Sequence, residues 1–557
     1  MRPPAAIRIR MSAPWTMHEL SGASVYHCGQ IAKLHEITDA IKAGDIADAK
    51  SLLRQERETF GLVIDCGNMI FAAMDRITGY PILLRQSGNQ IEITNDVIDW
   101  LTPDFKNEFD EDRVDMFLAS GYTLGTRCLF DTVRRLLPGE YCHIAKTGTK
   151  AVSVEYGRYY IFHPRFLPDP ADNSTDEYWE QRLETAFDAA ITRTINYADG
   201  ARIWVPLSAG YDSRAILAKL IALGYDNVEA FSYGNPGNKE ALVARDIAEK
   251  ANVKWRFISS VEKKSATELC SHETQKYMQF AGELSTTPAM TEYVALRKLS
   301  RSIDFDEADL IVNGQSGDFL TGGHIPASNL VSELISSIHG KHFSLFTGEH
   351  QNIGERKIKQ TLCEWSHKFL DMDLEQMEGI DLLAFSLVFE WQERQSHYVI
   401  QQHRAYDFLG LRWAVPLWDA DLMDLYEEAP LGQQRGQSLY LRYLSKWNYR
   451  GMFDYGRLPH DPWPKYGIAF RTMAQIAGVV GGKKVKQSAY RRLYYWTDLN
   501  YQYRMFGNRT FNAFNKEMRG APSLIALEYL AGLRQMLELA PVHPLERKYS
   551  QARSRSL

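Results

Sequence analysis

The stretch "ARIWVPLSAGYDSRAILAKLIALGYDNVEAFSYG", residues 201–234, decides the fold predicted for most of this chain. It opens with an apolar run that predicts a buried strand, continues with helical spacing, and closes with a second apolar run. A strand, a helix and a strand in this order predict two parallel strands joined by a right-handed crossover. Between the first strand and the helix lies a short segment, Ser208–Ser213, of mostly small and polar residues.

The same alternation surrounds this stretch. Helices are predicted at 176–198 ("DEYWEQRLETAFDAAITRTINYA") and 238–251 ("NKEALVARDIAEKA"). Strands are predicted at 254–259 ("KWRFIS") and within 308–318 ("ADLIVNGQSGD"). From about residue 325 onward the pattern is mostly helical. The sequence therefore predicts an α/β unit with a parallel sheet and a large helical part.

The first 160 residues or so have a different pattern. Two strands around a Gly-Asn turn are predicted at 61–75, and a turn between two further strands at 85–90. A helix is predicted at 110–122, and a Pro-Gly turn feeding a hairpin at 134–154. This is the pattern of an α+β domain.

Composition narrows the class of protein. At 557 residues with 45% hydrophobic residues, the chain predicts at least two globular domains. A net charge of -5 argues against a dedicated nucleic-acid binder, and no apolar run is long enough to span a membrane. The six cysteines form no CxxC pair, which favours a reducing compartment, and we expect a cytoplasmic protein. These cysteines are Cys28, Cys66, Cys128, Cys142, Cys270 and Cys363.

Three strand ends carry loops suited to binding a ligand: Ser208–Ser213, Ser232–Gly234 and Asn313–Asp318. Small residues let backbone N–H groups approach phosphate oxygens, and the following helix N-terminus favours negative charge. Two carboxylates, Asp212 and Asp318, suit Mg²⁺. The phosphate-loop patterns GxxxxGKS/T and GxGxxG are absent. Ordinary strand-to-helix turns with capping Ser and Asp would give the same sequence pattern. The pattern alone therefore leaves open whether these loops bind phosphate or are ordinary turns.

The order of sequence motifs along the chain favours the ligand-binding interpretation over ordinary turns. "LSAGYDS" (207–213) resembles the SGGxDS motif of PP-loop ATP pyrophosphatases, and "NGQSGDFLTGG" (313–323) resembles the SGxGxDExFGG loop of the asparagine synthetase family. "AFSYG" (230–234) is similar to the adenosine-edge strand of that family. "GLRWAVPLWDADLMDL" (410–425) is similar to its RVPFLD helix start, and "PWPKYGIAF" (462–470) to its late lysine motif.

The N-terminal part agrees with this resemblance. "DRITGYP" (75–81) and the segment 109–141 resemble the end of a glutaminase-type N-terminal-nucleophile (Ntn) domain. The resemblance covers about residues 20–470 and implies an αββα Ntn-like sandwich over 1–165. It also implies a PP-loop, adenine nucleotide alpha hydrolase-like synthetase domain over 175–475. Residues 476–557 are predicted as a helical extension with a basic tail, and we expect the last residues, 543–557, to be frayed.

The resemblance implies an ATP-dependent ligase. Such enzymes activate a carboxylate as an acyl-AMP with release of pyrophosphate, and an amine or ammonia then attacks. Asp212 and Asp318 would hold Mg²⁺, while Lys465 and Gln315 take the catalytic positions. On its own, Lys465 would be taken for a surface lysine. The residues implied for ATP and pyrophosphate are Leu207, Ser208, Ala209, Gly210, Asp212, Ser213, Ser232, Tyr233, Gly234 and Gly314.

The chain departs from the family pattern at several positions. Arg2 stands where a processed N-terminal cysteine would lie, and Cys28 is predicted to be a strand residue, so we expect no glutamine hydrolysis. Gln315 replaces a glutamate and cannot serve as a general base, although it could orient a substrate or take no catalytic part. Phe319 replaces an acidic residue, which argues against aspartate as the substrate. Ala209 replaces a glycine and would be strained at positive φ.

Three functions compete at this stage. The first is amidation of a small-molecule carboxylate, with a sugar uronic acid of surface polysaccharide as the candidate, because "DSRA" (212–215) resembles members encoded with such genes. The second is intramolecular amide formation, as in β-lactam synthetases or lasso-peptide cyclases, with a peptide as one possible substrate. The third is a non-catalytic ATP-binding scaffold. No nucleic acid and no membrane span are expected, and a homodimer stays open.

Two further stretches combine charged and aromatic residues. Residues 483–506 could stack on bases or sugars, but a helical cap with inward aromatic rings is the preferred interpretation. Residues 389–404 contain Arg394 and His397, which could recognise an anionic substrate. Polar packing between helices is the preferred interpretation of that stretch.

Overall fold

A computed structural model gives the architecture of the chain. It describes residues 6–88, 90–145, 153–166, 175–234, 236, 238–259, 271–302, 305–327, 330–346, 355–455, 467–494, 517 and 520–554.

Strands of the first 158 residues form two sheets. The smaller sheet has the order β1 (Ala6–Arg10), β7 (Gln90–Thr94), β6 (Leu83–Ser87) and β8 (Val133–Arg135). The larger has the order β10 (Ser153–Arg158), β9 (Glu140–Ala145), β5 (Met69–Met74), β4 (Phe60–Asp65), β3 (Ala23–Gly29) and β2 (Thr16–Leu20). The strand pairs predicted around 61–75, 85–90 and 134–154 are confirmed as antiparallel.

The central strands of the larger sheet are buried on both faces, whereas its edge strands β2 and β10 are largely exposed. Leu62, Ile64 and Phe71 share a core with helices α1 (Leu34–Lys42) and α2 (Ile46–Gln55). The intervening Val63, Ile70 and Ala72 belong instead to the main core, together with Ile91 and Ile93 of the smaller sheet. This alternation follows from the two-residue period of a strand. It produces a helical layer on one face of the larger sheet and the main core on the other.

A parallel sheet forms the second part, as predicted. Its order is β13 (Lys254–Ser259), β12 (Val228–Gly234), β11 (Ile203–Pro206), β14 (Leu310–Val312) and β15 (Arg412–Ala414), and every pairing is parallel. Strand β15 corrects the sequence analysis, which assigned 410–425 only to a helix start. Three residues are too few to show a periodic pattern, so tertiary pairing with β14 creates this strand.

Helices cover the sheets and build the rest of the molecule. The predicted helices 110–122, 176–198 and 238–251 are confirmed within a few residues, and so is the helix predicted between the two strands of 201–234. The α-helices that follow α2 are α3 (Glu111–Ser120), α4 (Asp176–Ala198), α5 (Tyr211–Ala222), α6 (Lys239–Ala251), α7 (His272–Gly282), α8 (Met290–Ser300), α9 (Val331–His342), α10 (Glu355–Leu370), α11 (Gly379–Phe389), α12 (Arg404–Phe408), α13 (Ala420–Glu428), α14 (Leu431–Gln434), α15 (Ser438–Trp447), α16 (Gly467–Tyr494), α17 (Ala521–Met536) and α18 (Pro544–Ser554).

Tighter and wider helical turns lie between these elements. The wider turns are π-helices, at Phe319–Gly323 and Glu390–Val399. Short 3₁₀ turns occur at Ile98–Trp100, Pro103–Glu108, Leu374–Gln376, Ile400–His403, Pro416–Trp418, Arg435–Gln437 and Tyr449–Gly451.

The C-terminal segment is ordered where we expected fraying. Residues 544–554 form α18, and Leu545 and Tyr549 are buried. Glu546 accepts hydrogen bonds from Arg534 of α17, and Arg534 also contacts Glu111 of α3. The prediction of a frayed end was therefore wrong for residues 544–554, because burial and ion pairing stabilise a segment that is polar overall.

Candidate active site

The first loop lies where β11 ends and α5 begins. Two serines tighten it: the Gly210 N–H donates to Ser208 Oγ over 3.0 Å, and the Ser208 N–H donates to Ser213 Oγ over 3.1 Å. Gly210 is the N-cap of α5 and offers no side chain to the first turn. The N-terminal N–H groups of this helix therefore face the carboxyl end of the sheet, which is a suitable place for an anion.

Ala209 fits its place without strain. It does not take a positive φ, so the conflict considered for a residue that replaces glycine does not arise. Its side chain is buried, and its carbonyl accepts a hydrogen bond from Arg214 over 2.6 Å.

Arg214 braces the loop from inside the protein. The side chain is fully buried and donates to the carbonyls of Met452 (3.1 Å) and Tyr455 (2.9 Å), besides that of Ala209. It thereby joins the loop to the segment that precedes Lys465. Lys465 itself lies outside the described residues. Sequence analysis missed this role, since "DSRA" marks the residue but not its partners.

The second loop, at the end of β12, is linked to both neighbouring strands of the parallel sheet. The Ser232 hydroxyl donates to the Leu207 carbonyl over 2.6 Å and accepts from the Trp255 indole over 2.9 Å. Tyr233 and Gly234 follow, half-buried, at the end of β12. Ser232 of β12 thus links Leu207, directly after β11, to Trp255 of β13 through its side chain.

The third loop closes against the first. The Asp318 N–H donates to Asp212 Oδ2 over 3.1 Å. A Cβ on Gly314 would lie 2.7 Å from the Ser213 nitrogen, and one on Gly317 would lie 2.6 Å from Asp212 Cγ. Glycine at both positions therefore lets the two loops touch. The structure brings together the two residues predicted to bind a metal, through the backbone of Asp318 and the carboxylate of Asp212.

Asp318 also belongs to a line of charged groups. His324 Nε2 lies 3.2 Å from Asp318 Oδ2, and His324 Nδ1 lies 2.6 Å from Glu390 Oε1. Lys341 Nζ contacts the other oxygen of Glu390 at 2.7 Å, and Arg394 lies 3.7 Å from Oε1. Sequence analysis missed His324 and Glu390, although His324 directly follows the glycine pair of the motif.

These contacts change the pKa values of His324 and Asp318. Burial alone would lower the pKa of His324, but its hydrogen bonds to Asp318 and Glu390 raise it. Burial alone would raise the pKa of Asp318, but the His324 hydrogen bond and charge lower it. Asp318 is therefore held as a carboxylate.

Two phenols face the other carboxylate. Burial first, and the charge of Asp212 second, raise the pKa of Tyr426 and of Tyr440 well above the usual range of a phenol. These tyrosines come from α13 and α15, so helices remote in sequence form the wall behind Asp212. Both phenols are neutral beside it.

Gln315 and Ser316 are neighbours in the third loop but differ in their contacts. Ser316 has a positive φ of 66°, unusual for a residue with a side chain, and its hydroxyl donates to Gln395 Oε1 over 2.7 Å. Gln315 Oε1 is buried and accepts no hydrogen bond from the described part of the chain. Phe319 is buried against Trp418, with ring centroids 5.6 Å apart.

The stretch 389–404 shows the polar packing that was the preferred interpretation. His397 is fully buried and hydrogen-bonds the Thr123 carbonyl at 3.3 Å, as expected of polar packing. Arg394 lies beside Glu390, in the charged line near Asp318. Half of 483–506 lies outside the described residues, which end at 494 in that region.

The donor set suits Mg²⁺. Among the described residues, no group of three or more His, Cys, Asp or Glu side chains could hold a metal ion. Mg²⁺ in nucleotide-dependent enzymes commonly takes one or two carboxylates and completes its shell with phosphate oxygens and water. Asp212 and Asp318, linked through a backbone hydrogen bond, fit that mode.

Residues 182–453 match the family model for asparagine synthase. This part of the chain is an asparagine synthase domain. The match runs from α4 to just beyond the 3₁₀ turn at Tyr449–Gly451, and it contains all three loops, whereas Lys465 lies past its end. The family uses ATP, and the domain supports an ATP-dependent, amide-forming ligase whose substrates are a carboxylate and an amine. Among the curated proteins, no sequence matches this chain.

Among the described residues, no helix is both long and apolar enough to cross a bilayer.

Proposed function

We propose that this protein joins a carboxylate to an amine in an AMP-forming reaction that uses ATP and Mg²⁺. The observation that carries the proposal is the hydrogen bond from the Asp318 N–H to Asp212 Oδ2, at 3.1 Å. It brings the two carboxylates of separate motifs to one edge of the parallel sheet, beside the N-terminus of α5.

Each loop has a part in this proposal. The N-terminus of α5 binds the pyrophosphate portion of ATP, because Gly210 leaves it without a capping side chain, while the Ser208 and Gly210 N–H groups keep the loop in shape. Asp212 and Asp318 hold Mg²⁺, which supplies positive charge against the departing pyrophosphate. Lys465 adds a further cation there. The adenosine lies along Ser232–Gly234, where backbone groups are offered while the Ser232 hydroxyl is engaged within the fold.

Gln315 orients the second substrate in this proposal. An amide cannot remove a proton from an amine near neutral pH. Its buried Oε1, which has no donor among the described residues, can instead accept a hydrogen bond from the amine N–H. Phe319 lies buried beside Trp418, so the neighbouring wall is apolar where the family pattern has an acid. This arrangement favours a carboxylate other than aspartate.

The N-terminal part is proposed to be an Ntn-like domain without glutaminase activity. Cys28 lies inside β3, a strand that pairs with β2 and with β4, and its side chain is buried. Burial, and then the charge of Asp407, raise the pKa of the Cys28 thiol well above its usual range. A buried thiol that resists ionisation is a poor nucleophile. Ammonia or an amine is therefore taken from solution or from a partner.

For the carboxylate substrate we propose a sugar uronic acid. Support for this choice is the resemblance of "DSRA" (212–215) to members encoded with surface-polysaccharide genes. Intramolecular amide formation and an ATP-binding scaffold are the alternatives that the experiment separates. The cytoplasmic location and a homodimer stay predictions.

Pyrophosphate exchange tests the proposal. The full chain is incubated with Mg-ATP, labelled pyrophosphate and one carboxylate at a time, including UDP-linked uronic acids, aspartate and linear peptides. Label appears in ATP only when a carboxylate is adenylated, so exchange with a uronic acid alone supports the proposal. Exchange with a peptide alone would favour a cyclase. ATP binding without exchange for any carboxylate would favour a scaffold and overturn the ligase.

A further inference from the structure

Helix α16 is a hairpin of two helical arms. Gly482, with φ 74° and ψ −174°, interrupts its helical conformation. A Cβ on Gly478 would lie 2.8 Å from Cβ of Lys486. In a straight helix these two residues would be separated by about 12 Å along the axis. The chain therefore turns back at Gly481–Gly482, and residues 478–486 form what we call the hairpin tip.

The hairpin tip is apolar and fully presented to solvent. Val479 and Val480 are 88% and 86% exposed, the highest values among the exposed large apolar side chains of the described residues. Ile476 and Met473, on the first arm, are 58% and 57% exposed, and Val485 on the second arm is exposed as well. Single exposed apolar residues are ordinary, but a cluster on one protruding element marks an interaction site.

The same hairpin is strongly basic. It contains no Asp or Glu, in a chain whose net charge is -5. Lys483, Lys484 and Lys486 follow the turn directly, and Lys486 is exposed. The basic residues of α16 are Arg471, Lys483, Lys484, Lys486, Arg491 and Arg492.

We propose that the hairpin tip docks this protein on an anionic membrane surface. Val479 and Val480 enter the acyl region, and the exposed Lys486 meets the lipid phosphates, within a sequence that also contains Lys483 and Lys484. Exposed apolar residues followed by a lysine-rich sequence have the character of interfacial segments that combine burial of apolar area with attraction to anionic lipid. The tip is a protrusion and not a groove, so it suits a deformable bilayer better than the flat face of a folded partner.

This inference does not depend on the proposed ligase activity. The hairpin tip lies in residues 478–486, beyond the 182–453 match and outside the three loops. Pyrophosphate exchange is measured without lipid and vesicle binding without substrate. Failure of one measurement leaves the other unaffected.

Vesicle co-sedimentation tests the proposal. The full chain is mixed with vesicles of phosphatidylcholine alone, or of phosphatidylcholine with 30% phosphatidylglycerol. We expect binding to the anionic vesicles that is at least tenfold tighter than to the neutral ones and that weakens as salt rises. Val479→Asp/Val480→Asp should reduce anionic-vesicle binding at least tenfold. Lys483→Glu/Lys484→Glu/Lys486→Glu should also reduce anionic-vesicle binding at least tenfold, because it replaces attraction to the lipid phosphates with repulsion.

A matched control distinguishes the tip from general surface hydrophobicity. Val542→Asp places the same charge at another exposed valine, 52% accessible, and should leave vesicle binding unchanged. Equal binding to both vesicle types, no binding to either, or unchanged binding of both tip variants would overturn the proposal. The proposal would also be overturned if the wild type formed a dimer that binds no vesicles and Val479→Asp/Val480→Asp converted it to a monomer. A second copy of the chain would then cover the tip. Should the aspartate pair unfold the chain, Val479→Ser/Val480→Ser carries the same expectation.

Discussion

The backbone N–H of Asp318 donates to the carboxylate of Asp212 across 3.1 Å, although the two residues lie 106 positions apart in the chain. The contact is made by loops at the ends of β11 and β14, which are adjacent parallel strands. It converts two separate motifs into one acidic site beside a helix N-terminus.

The first prediction concerns this contact. Asp212→Asn keeps an oxygen that can accept from the Asp318 N–H but removes the charge offered to Mg²⁺. We expect pyrophosphate exchange to fall by about a hundredfold or more, which is roughly 3 kcal/mol of transition-state stabilisation, with little change in folding stability. Exchange assays and denaturant unfolding, with exposed Asp226→Asn as the control, measure both effects. Full exchange in the Asp212 variant would show that this carboxylate holds no metal.

A second prediction tests the close approach of the loops. Gly314→Ala would place a methyl group 2.7 Å from the Ser213 nitrogen and 2.9 Å from the carbonyl carbon of Asp212. Backbone must move, so we expect a loss of about 1–3 kcal/mol in unfolding free energy and a lower exchange rate. Gly432→Ala is the matched control, because a Cβ there would meet no atom within 4 Å. Equal stability of the two variants would contradict this description of the contact.

Lys465 provides the third prediction. Its place lies outside the described residues, but Arg214 ties the preceding segment to the first loop through the carbonyls of Met452 and Tyr455. We expect Lys465→Ala to lower exchange by about a hundredfold or more while ATP still binds, since a cation near the departing pyrophosphate acts mainly in the transition state. Exposed Lys446→Ala serves as the control. Weaker ATP binding with an unchanged exchange rate at saturation would assign Lys465 to ground-state binding instead.

The fourth prediction concerns pH. Burial raises the pKa of Glu292 to about 7, even though the Tyr406 hydroxyl donates to it over 2.6 Å. A carboxyl group whose pKa is raised by folding stabilises the folded state while it is protonated. Its contribution is complete below the unfolded pKa near 4.5 and is lost as pH rises through about 7. The loss amounts to about 3 kcal/mol in the simplest treatment.

Glu292→Gln removes this titration. Denaturant unfolding between pH 5 and 8 should show the wild type losing stability relative to the variant as pH rises. The exposed Glu177→Gln variant should follow the wild type. Parallel curves for wild type and Glu292→Gln would mean that Glu292 keeps its charge in the folded protein.

Much of the architecture could be predicted because it depends on local patterns. The helix 176–198 and the strand 254–259 were predicted with the bounds that the structure has, since caps and apolar runs mark them clearly. Strand β15 was missed because a three-residue strand exists only through its pairing with β14. The helix at Pro544–Ser554 was missed because ion pairs with distant residues stabilise it.

The sequence by itself determined which residue types stand at the three strand ends, and the family model agrees with the resemblance drawn from them over 182–453. Only the tertiary structure decided how those residues meet. It showed that Ala209 avoids positive φ, that the Ser232 hydroxyl binds the Leu207 carbonyl and the Trp255 indole, and that Glu390 reaches Asp318 through His324. The physical reason is the distance along the chain over which each property is set. Strand and helix patterns arise from neighbouring residues, whereas burial, hydrogen-bond partners and local charge depend on side chains that packing brings together.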